Sequence, residues 1–231
     1  MISFSEEEIL AIYLSLKIAF TASILSLPLG LLTGYVLARK EFPLKSFIES
    51  LINLPLILPP VVTGYILLIV FGKNGSVGHF LQKYFDFSFA FKWSGAALAC
   101  AIMGFPLMVR SIKLAIEMID PKIEEAAKTL GANNLIVFLT ITTPMAFPGI
   151  IVGTTLSFAR SLGEFGATIT FVSNIPGETQ TLSAAIYTFL QIPNGEGMAF
   201  RLTIISIVIS IAALLLSEVI LRKVSKINNR K

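Results

Sequence analysis

The sequence predicts an all-α integral membrane protein of about five transmembrane helices, with its N-terminus outside and its C-terminus in the cytoplasm. Three observations predict it. Of the 231 residues, 55% are hydrophobic and only 14% charged, and the mean hydropathy of +0.81 is too apolar for an ordinary water-soluble domain of this size. Five segments reach the roughly 20 apolar residues needed to cross a hydrocarbon core of about 30 Å. The lysines and arginines fall asymmetrically between the loops on the two sides. Segments of this length satisfy their own backbone hydrogen bonds in lipid only as helices.

The spans run over residues 12–38, 47–71, 93–115, 135–158 and 201–221, within one membrane domain covering residues 1–231. Ahead of the first span lies an acidic stretch, Glu6-Glu7-Glu8. A cleavable signal needs a positive charge there, so the first helix is expected to be retained. Arg39, Lys40 and Lys45 follow span one, Arg110, Lys113, Lys122 and Lys128 follow span three, and Arg222, Lys223, Lys226, Arg230 and Lys231 form the tail. These twelve mark the cytoplasmic side; five others, Lys73, Lys83, Lys92, Arg160 and Arg201, fall on the opposite side, with Lys17 snorkelling near the outer end of span one. Trp93 then sits at an outer interface, where amphipathic rings prefer to lie. Thr181 to Gln191 reads as helical but is too short to span, and is expected as an outer, re-entrant helix.

The net charge of +4 comes without a basic run interleaved with aromatics, so nucleic acid is not an expected partner. Cys100 is the single cysteine and His79 the single histidine, which excludes disulfide frameworks, zinc clusters and haem ligation. No phosphate loop of the form Gly-x-x-x-x-Gly-Lys-Ser/Thr occurs, so ATP chemistry, if used, belongs to a partner.

The loop 116–134 specifies a short, bounded helix from Asp120 to Gly131. Asp120 is a good N-cap, Pro121 suits the first helical position, and Gly131 can take the left-handed conformation that stops a helix. Glu124 and Glu125 lie near the positive end of the helix dipole. Ala126 and Ala127 offer a small-residue face that another surface can approach. The residues alone leave two readings open, a docking element and a solvated connector.

Glu125-Ala126-Ala127 followed by Gly131, Ile141 and Pro144 resembles the EAA motif of ABC importer permease subunits, with Thr143 where that family usually has leucine. The resemblance extends over nearly the whole chain. Leu54-Pro-Leu-Ile-Leu-Pro-Pro-Val-Val-Thr-Gly64 and Ala159-Arg-Ser-Leu-Gly-Glu-Phe-Gly-Ala167 are similar to the molybdate and sulfate branch, and Val172-Ser-Asn-Ile-Pro-Gly177 looks most like molybdate permeases. It implies a multi-pass protein of the cell inner membrane that passes molybdate or tungstate, with sulfate or thiosulfate as the alternative cargo. It further implies a homodimer, two ATPase subunits that use ATP and magnesium, and a binding protein on the outer side. Glu124, Glu125, Ala126, Ala127 and Gly131 would then couple this chain to the ATPase, and the chain itself would carry no cofactor and no catalytic residue.

Span four adds a stripe. Thr143, Thr154, Ser157 and Ser161 fall on one helical face, where hydroxyls can line a path for an oxyanion without trapping it. They can equally bond back to their own helix or join neighbouring helices. Arg160 can attract an anion, or pair with Glu164 four residues on. Gly30-x-x-x-Gly34 and Gly149-x-x-x-Gly153 read as close helix packing. Pro55, Pro59, Pro60, Pro144 and Pro148 are expected to bend or break spans two and four. An ion-coupled secondary transporter is the rival from another class, and it predicts mid-membrane carboxylates and internal repeats; Glu49 and Glu218 instead lie near span ends. An intramembrane enzyme would need His79 as its base, and His79 falls in a Gly-rich loop without a nucleophile pattern nearby.

Overall fold

The computed structural model describes residues 4–228, and side chains through residue 223. Every regular element among the described residues is helical: α1 (Glu6–Arg39), α2 (Lys45–Ile57), α3 (Pro60–Phe71), α4 (Ser76–Phe85), α5 (Trp93–Glu117), α6 (Pro121–Thr129), α7 (Asn134–Val137), a π-helical turn (Phe138–Thr142), α8 (Thr143–Met145), α9 (Phe147–Leu162), α10 (Gly166–Val172), α11 (Leu182–Phe189) and α12 (Glu196–Asn228). Three helices, α1, α5 and α12, are long and apolar enough to cross a membrane unaided. The other two spans expected from the sequence are broken pairs. Helices α2 and α3 meet at 111°, and the α7–α8 segment meets α9 at 71°, which gives up to five crossings if each pair counts as one.

The breaks fall where proline chemistry puts them. Pro59 has no N–H to continue α2 and holds Leu58 extended, while Pro60 starts α3 at a position where no donor is needed. Around Pro144 and Pro148 the ladder first widens into the π-helical turn and then interrupts at Ala146.

Helices α1, α5 and α9 form the core of the bundle, and glycine sets their spacing. A Cβ on Gly30 or Gly34 would meet the Met108 or Ile112 side chain of α5 at 2.7–2.8 Å. On the other side of α5, a Cβ on Gly149 would overlap the Ala115 methyl and come within 2.8 Å of the Ser111 carbonyl oxygen. Both Gly-x-x-x-Gly patterns therefore pack helices, as the sequence reading expects. Gly149→Ala is expected to destabilise the bundle by about 1–3 kcal/mol through overpacking. Thermal unfolding in detergent measures it, and an unchanged melting temperature contradicts this packing.

The end of the bundle away from α6 is closed by long-range pairing. Glu8, fully buried, caps α1 through Ser5 and accepts two hydrogen bonds from Arg201 of α12, at 2.9 and 3.0 Å. Between α1 and α12 sits α11, whose Leu182, Ala185 and Phe189 pack with Ala11, Ala199 and Leu202, and whose Leu182 N–H donates to Ser15 Oγ at 2.6 Å. It is a short helix wedged between spans and does not span. The Lys17 ammonium lies 3.8 Å from the centre of the Trp93 ring, so this charge is held by the aromatic face.

Candidate functional site

At the other end of the bundle, α6 hangs between the C-terminus of α5 and the start of α7. Its boundaries follow from local chemistry. The Asp120 side chain accepts a hydrogen bond from the Lys122 N–H at 3.0 Å, Pro121 occupies the first turn, and Gly131 takes φ +93°. The Gly131 N–H donates to the Lys128 carbonyl and the Ala132 N–H reaches back to the Ala127 carbonyl, at 3.0 and 3.1 Å. That paired closure is a Schellman motif, and it needs the left-handed residue that glycine supplies without a Cβ penalty.

Helix α6 has two unlike faces. Glu125 and Ala126 are exposed, Ala127 is half-buried, and Ile123 is exposed beside them. Leu130 at the end of the helix is 89% exposed, and Met118 just before it 82%. These are large apolar side chains left open at the two ends of a helix that carries small residues and charges between them, an arrangement suited to a partner surface.

The opposite face departs from the sequence expectation at one position. Glu124, expected on the docking face with Glu125, is 5% exposed and turned into the protein. Its carboxylate accepts the Arg39 Nε–H at 3.1 and 3.2 Å and the Thr142 hydroxyl at 2.8 Å, while Arg39 Nη2 donates to the Ile119 carbonyl at 2.9 Å. Beside this cluster the Tyr35 and Phe138 rings meet edge to face, with centroids 4.8 Å apart. A carboxylate buried on a short helix is stable only when paired and hydrogen-bonded, and all of that pairing comes from outside α6. In the sequence Arg39 is legible only as a topology signal, and Thr142 carries no signal of its own. Arg39 lies 85 residues from Glu124, so no local spacing points to the pair.

The hydroxyl stripe of span four is distributed differently from a continuous helical face. The 71° break before Phe147 separates Thr143 from the other three. Thr154 donates to the Ile150 carbonyl and Ser161 to the Ser157 carbonyl, both at 2.8 Å, so these two bond back to their own helix. Ser157 is fully buried where α9 crosses Gly104 of α5. Arg160 pairs with Glu164 at 2.6 Å. Glu164 is 1% exposed, and its other oxygen accepts the Ala167 N–H at 2.8 Å, which anchors the start of α10. Of the two roles open to Arg160, the ion pair is the one the geometry carries.

A family described as "Binding-protein-dependent transport system inner membrane component" matches residues 26–226. The chain is 56% identical over 208 residues to the molybdenum transport system permease protein ModB of Escherichia coli (strain K12), covering 90% of this chain and 91% of that protein. It is 52% identical over 219 residues to the protein of the same name from Haemophilus influenzae, covering 95% and 96%. Among solved structures it resembles a bacterial alginate ABC transporter in complex with an alginate pentasaccharide-bound periplasmic protein. That match has a TM-score of 0.76 and 18% identity over 96% of this chain and 81% of that one, a likeness of fold.

Proposed function

This chain belongs to the family of binding-protein-dependent transport system inner membrane components, and we propose that it is the pore-forming permease subunit of an ATP-driven importer that carries molybdate, with tungstate as a close analogue. The observation that carries the cargo is its identity of more than half, over nearly the full length of both chains, to a molybdenum permease. The protein is a multi-pass component of the inner membrane. In this reading α6 faces the cytoplasm and docks on an ATPase through Glu125, Ala126, Ala127 and the apolar residues beside them, and Gly131 sets the angle of that surface. Glu124 holds the helix from behind.

A second copy of the chain completes the passage, because about five spans are few to enclose a path for an oxyanion. Two ATPase subunits bind and hydrolyse ATP with its magnesium, and a soluble binding protein delivers the oxyanion. Molybdate and sulfate are both tetrahedral dianions, so a passage through this chain need not separate them, and the first selection falls to the binding protein. Thr143, Thr154, Ser157, Arg160 and Ser161 shape the wall of that passage through helix packing and the Arg160–Glu164 pair.

The test is uptake by proteoliposomes holding this permease, its ATPase and the binding protein, in the presence of molybdate, tungstate, sulfate or thiosulfate. Molybdate and tungstate are expected to compete with each other and to stimulate ATP hydrolysis. If sulfate is carried while molybdate neither competes nor stimulates, the cargo is wrong and the importer class survives. Uptake that follows an ion gradient without ATP contradicts the class itself.

A further inference from the structure

We propose that Arg39 and Thr142, acting through Glu124, are positioning residues that make α6 move as one piece with the C-terminal end of α1 and with the π-helical turn leading to the break at Ala146. The proposal rests on α6 being the docking helix and adds the route by which its movement leaves it.

Helix α6 has nine residues, too few to be stable alone in water. A lever of that size transmits force only if it is tied to something rigid. The tie is a single buried carboxylate with three anchors: Arg39 from α1, Thr142 from the π-helical turn, and through Arg39 Nη2 the Ile119 carbonyl at the end of α5. The side chains of Arg39 and Glu124 are 12% and 6% exposed. A buried ion pair contributes little net stability compared with apolar packing, so its use here is better explained by the geometry it imposes.

Thr142 ends the π-helical turn and is itself fully buried. Such turns are rare and concentrate at functional sites, because the extra residue shifts which side chains face inward. Here the shift coincides with a hydroxyl that donates to Glu124 at 2.8 Å. Four residues further on, the chain breaks at Ala146 by 71° before α9 begins. A displacement of α6 therefore reaches α1 through a charged pair and reaches the base of α9 through one hydroxyl. The Tyr35–Phe138 contact keeps α1 and the π-helical turn in register beside them.

The experiment uses the full permease with its ATPase and binding protein in proteoliposomes. Thr142→Val keeps the volume and removes the donor; Arg39→Gln keeps N–H donors and removes the charge, and Arg39→Lys restores the charge. All three are expected to co-purify with the ATPase and to hydrolyse ATP at the basal rate. Stimulation by loaded binding protein, and uptake per ATP, fall about five- to tenfold in Thr142→Val and further in Arg39→Gln, with partial recovery in Arg39→Lys. Spin labels on Lys128→Cys and Leu139→Cys report the tie directly, since both positions are exposed and Cys100 is buried. In the parent the distance between them stays narrow and unchanged when the ATPase is trapped with ATP and vanadate; in Thr142→Val it broadens on trapping.

A parent distance that shifts on trapping, or a Thr142→Val protein with parental distance and parental coupling, overturns the proposal. If Arg39→Gln fails to insert, Thr142→Val decides. If no tested oxyanion stimulates the parent, the cargo reading fails, while the label distance still decides the tie.

Discussion

Gly131→Val is expected to insert and fold as the parent does, yet to bind the ATPase about 5- to 150-fold more weakly and to lose uptake in proportion. Nothing lies within 4 Å of where its Cβ would stand, so the substitution meets no clash. The effect comes from the backbone. At φ +93° a β-branched residue is strained by about 1–3 kcal/mol, and the chain relieves that strain by leaving the left-handed region. The bonds from the Gly131 and Ala132 N–H groups to Lys128 and Ala127 are then lost, and the last turn of α6 rotates with Ala127 and Leu130 on it. Gly131→Asn is the control, because asparagine tolerates the left-handed region; it is expected to retain most of the affinity. Affinity is measured by titrating detergent-solubilised permease with its ATPase. Equal binding by Gly131→Val and the parent contradicts the docking role of this helix end.

Leu130→Glu carries the second large effect. Leu130 is 89% exposed in the single chain, so the change leaves folding untouched and its cost appears only when a partner covers the site. Covering a leucine contributes about 1.5–3 kcal/mol, and covering a carboxylate without a partner costs more than that again. Loss of more than about a hundredfold in ATPase affinity is the expected outcome, corresponding to more than about 2.7 kcal/mol. Size-exclusion profiles establish that the variant is intact, and co-purification with the ATPase reads the effect. Parental binding would place Leu130 outside the interface and move the contact toward Glu125 and Ala126.

The two substitutions differ in what they separate. Gly131→Val leaves the surface chemistry unchanged and alters its direction; Leu130→Glu leaves the direction unchanged and alters its chemistry. Loss in both, with normal insertion, assigns docking to the α6 end through its shape and through its apolar surface together.

The family contains this chain by its sequence alone, and much of the site is legible there for the same reason. Helix ends are written locally: Asp120, Pro121 and Gly131 act on backbone groups within four residues, so their roles can be read without knowing what surrounds them. The same holds for the spacing of Gly30 with Gly34 and Gly149 with Gly153, because a four-residue interval lies on one helical face wherever that helix packs. Apolar length and proline positions likewise marked which segments are long and apolar enough to cross and where the chain breaks, since the hydrocarbon thickness and the missing N–H act on each segment by itself.

Periodicity identifies which residues share a face but not which face turns inward. Glu124 and Glu125 are neighbours with the same chemistry, and only the packing of α6 under Arg39 and Thr142 buries the first and exposes the second. The π-helical turn and the 71° break took Thr143 out of a stripe that assumes an unbroken 3.6-residue repeat. Spacing leaves Arg160 two roles, and the burial of Glu164 against it decides for the ion pair. What the sequence by itself determined is everything decided by the lipid thickness and by interactions within one helical turn. What only the tertiary structure decided is where charge is buried, because a buried carboxylate is stabilised by partners that the fold brings from 18 and 85 residues away, and no short-range pattern encodes that meeting.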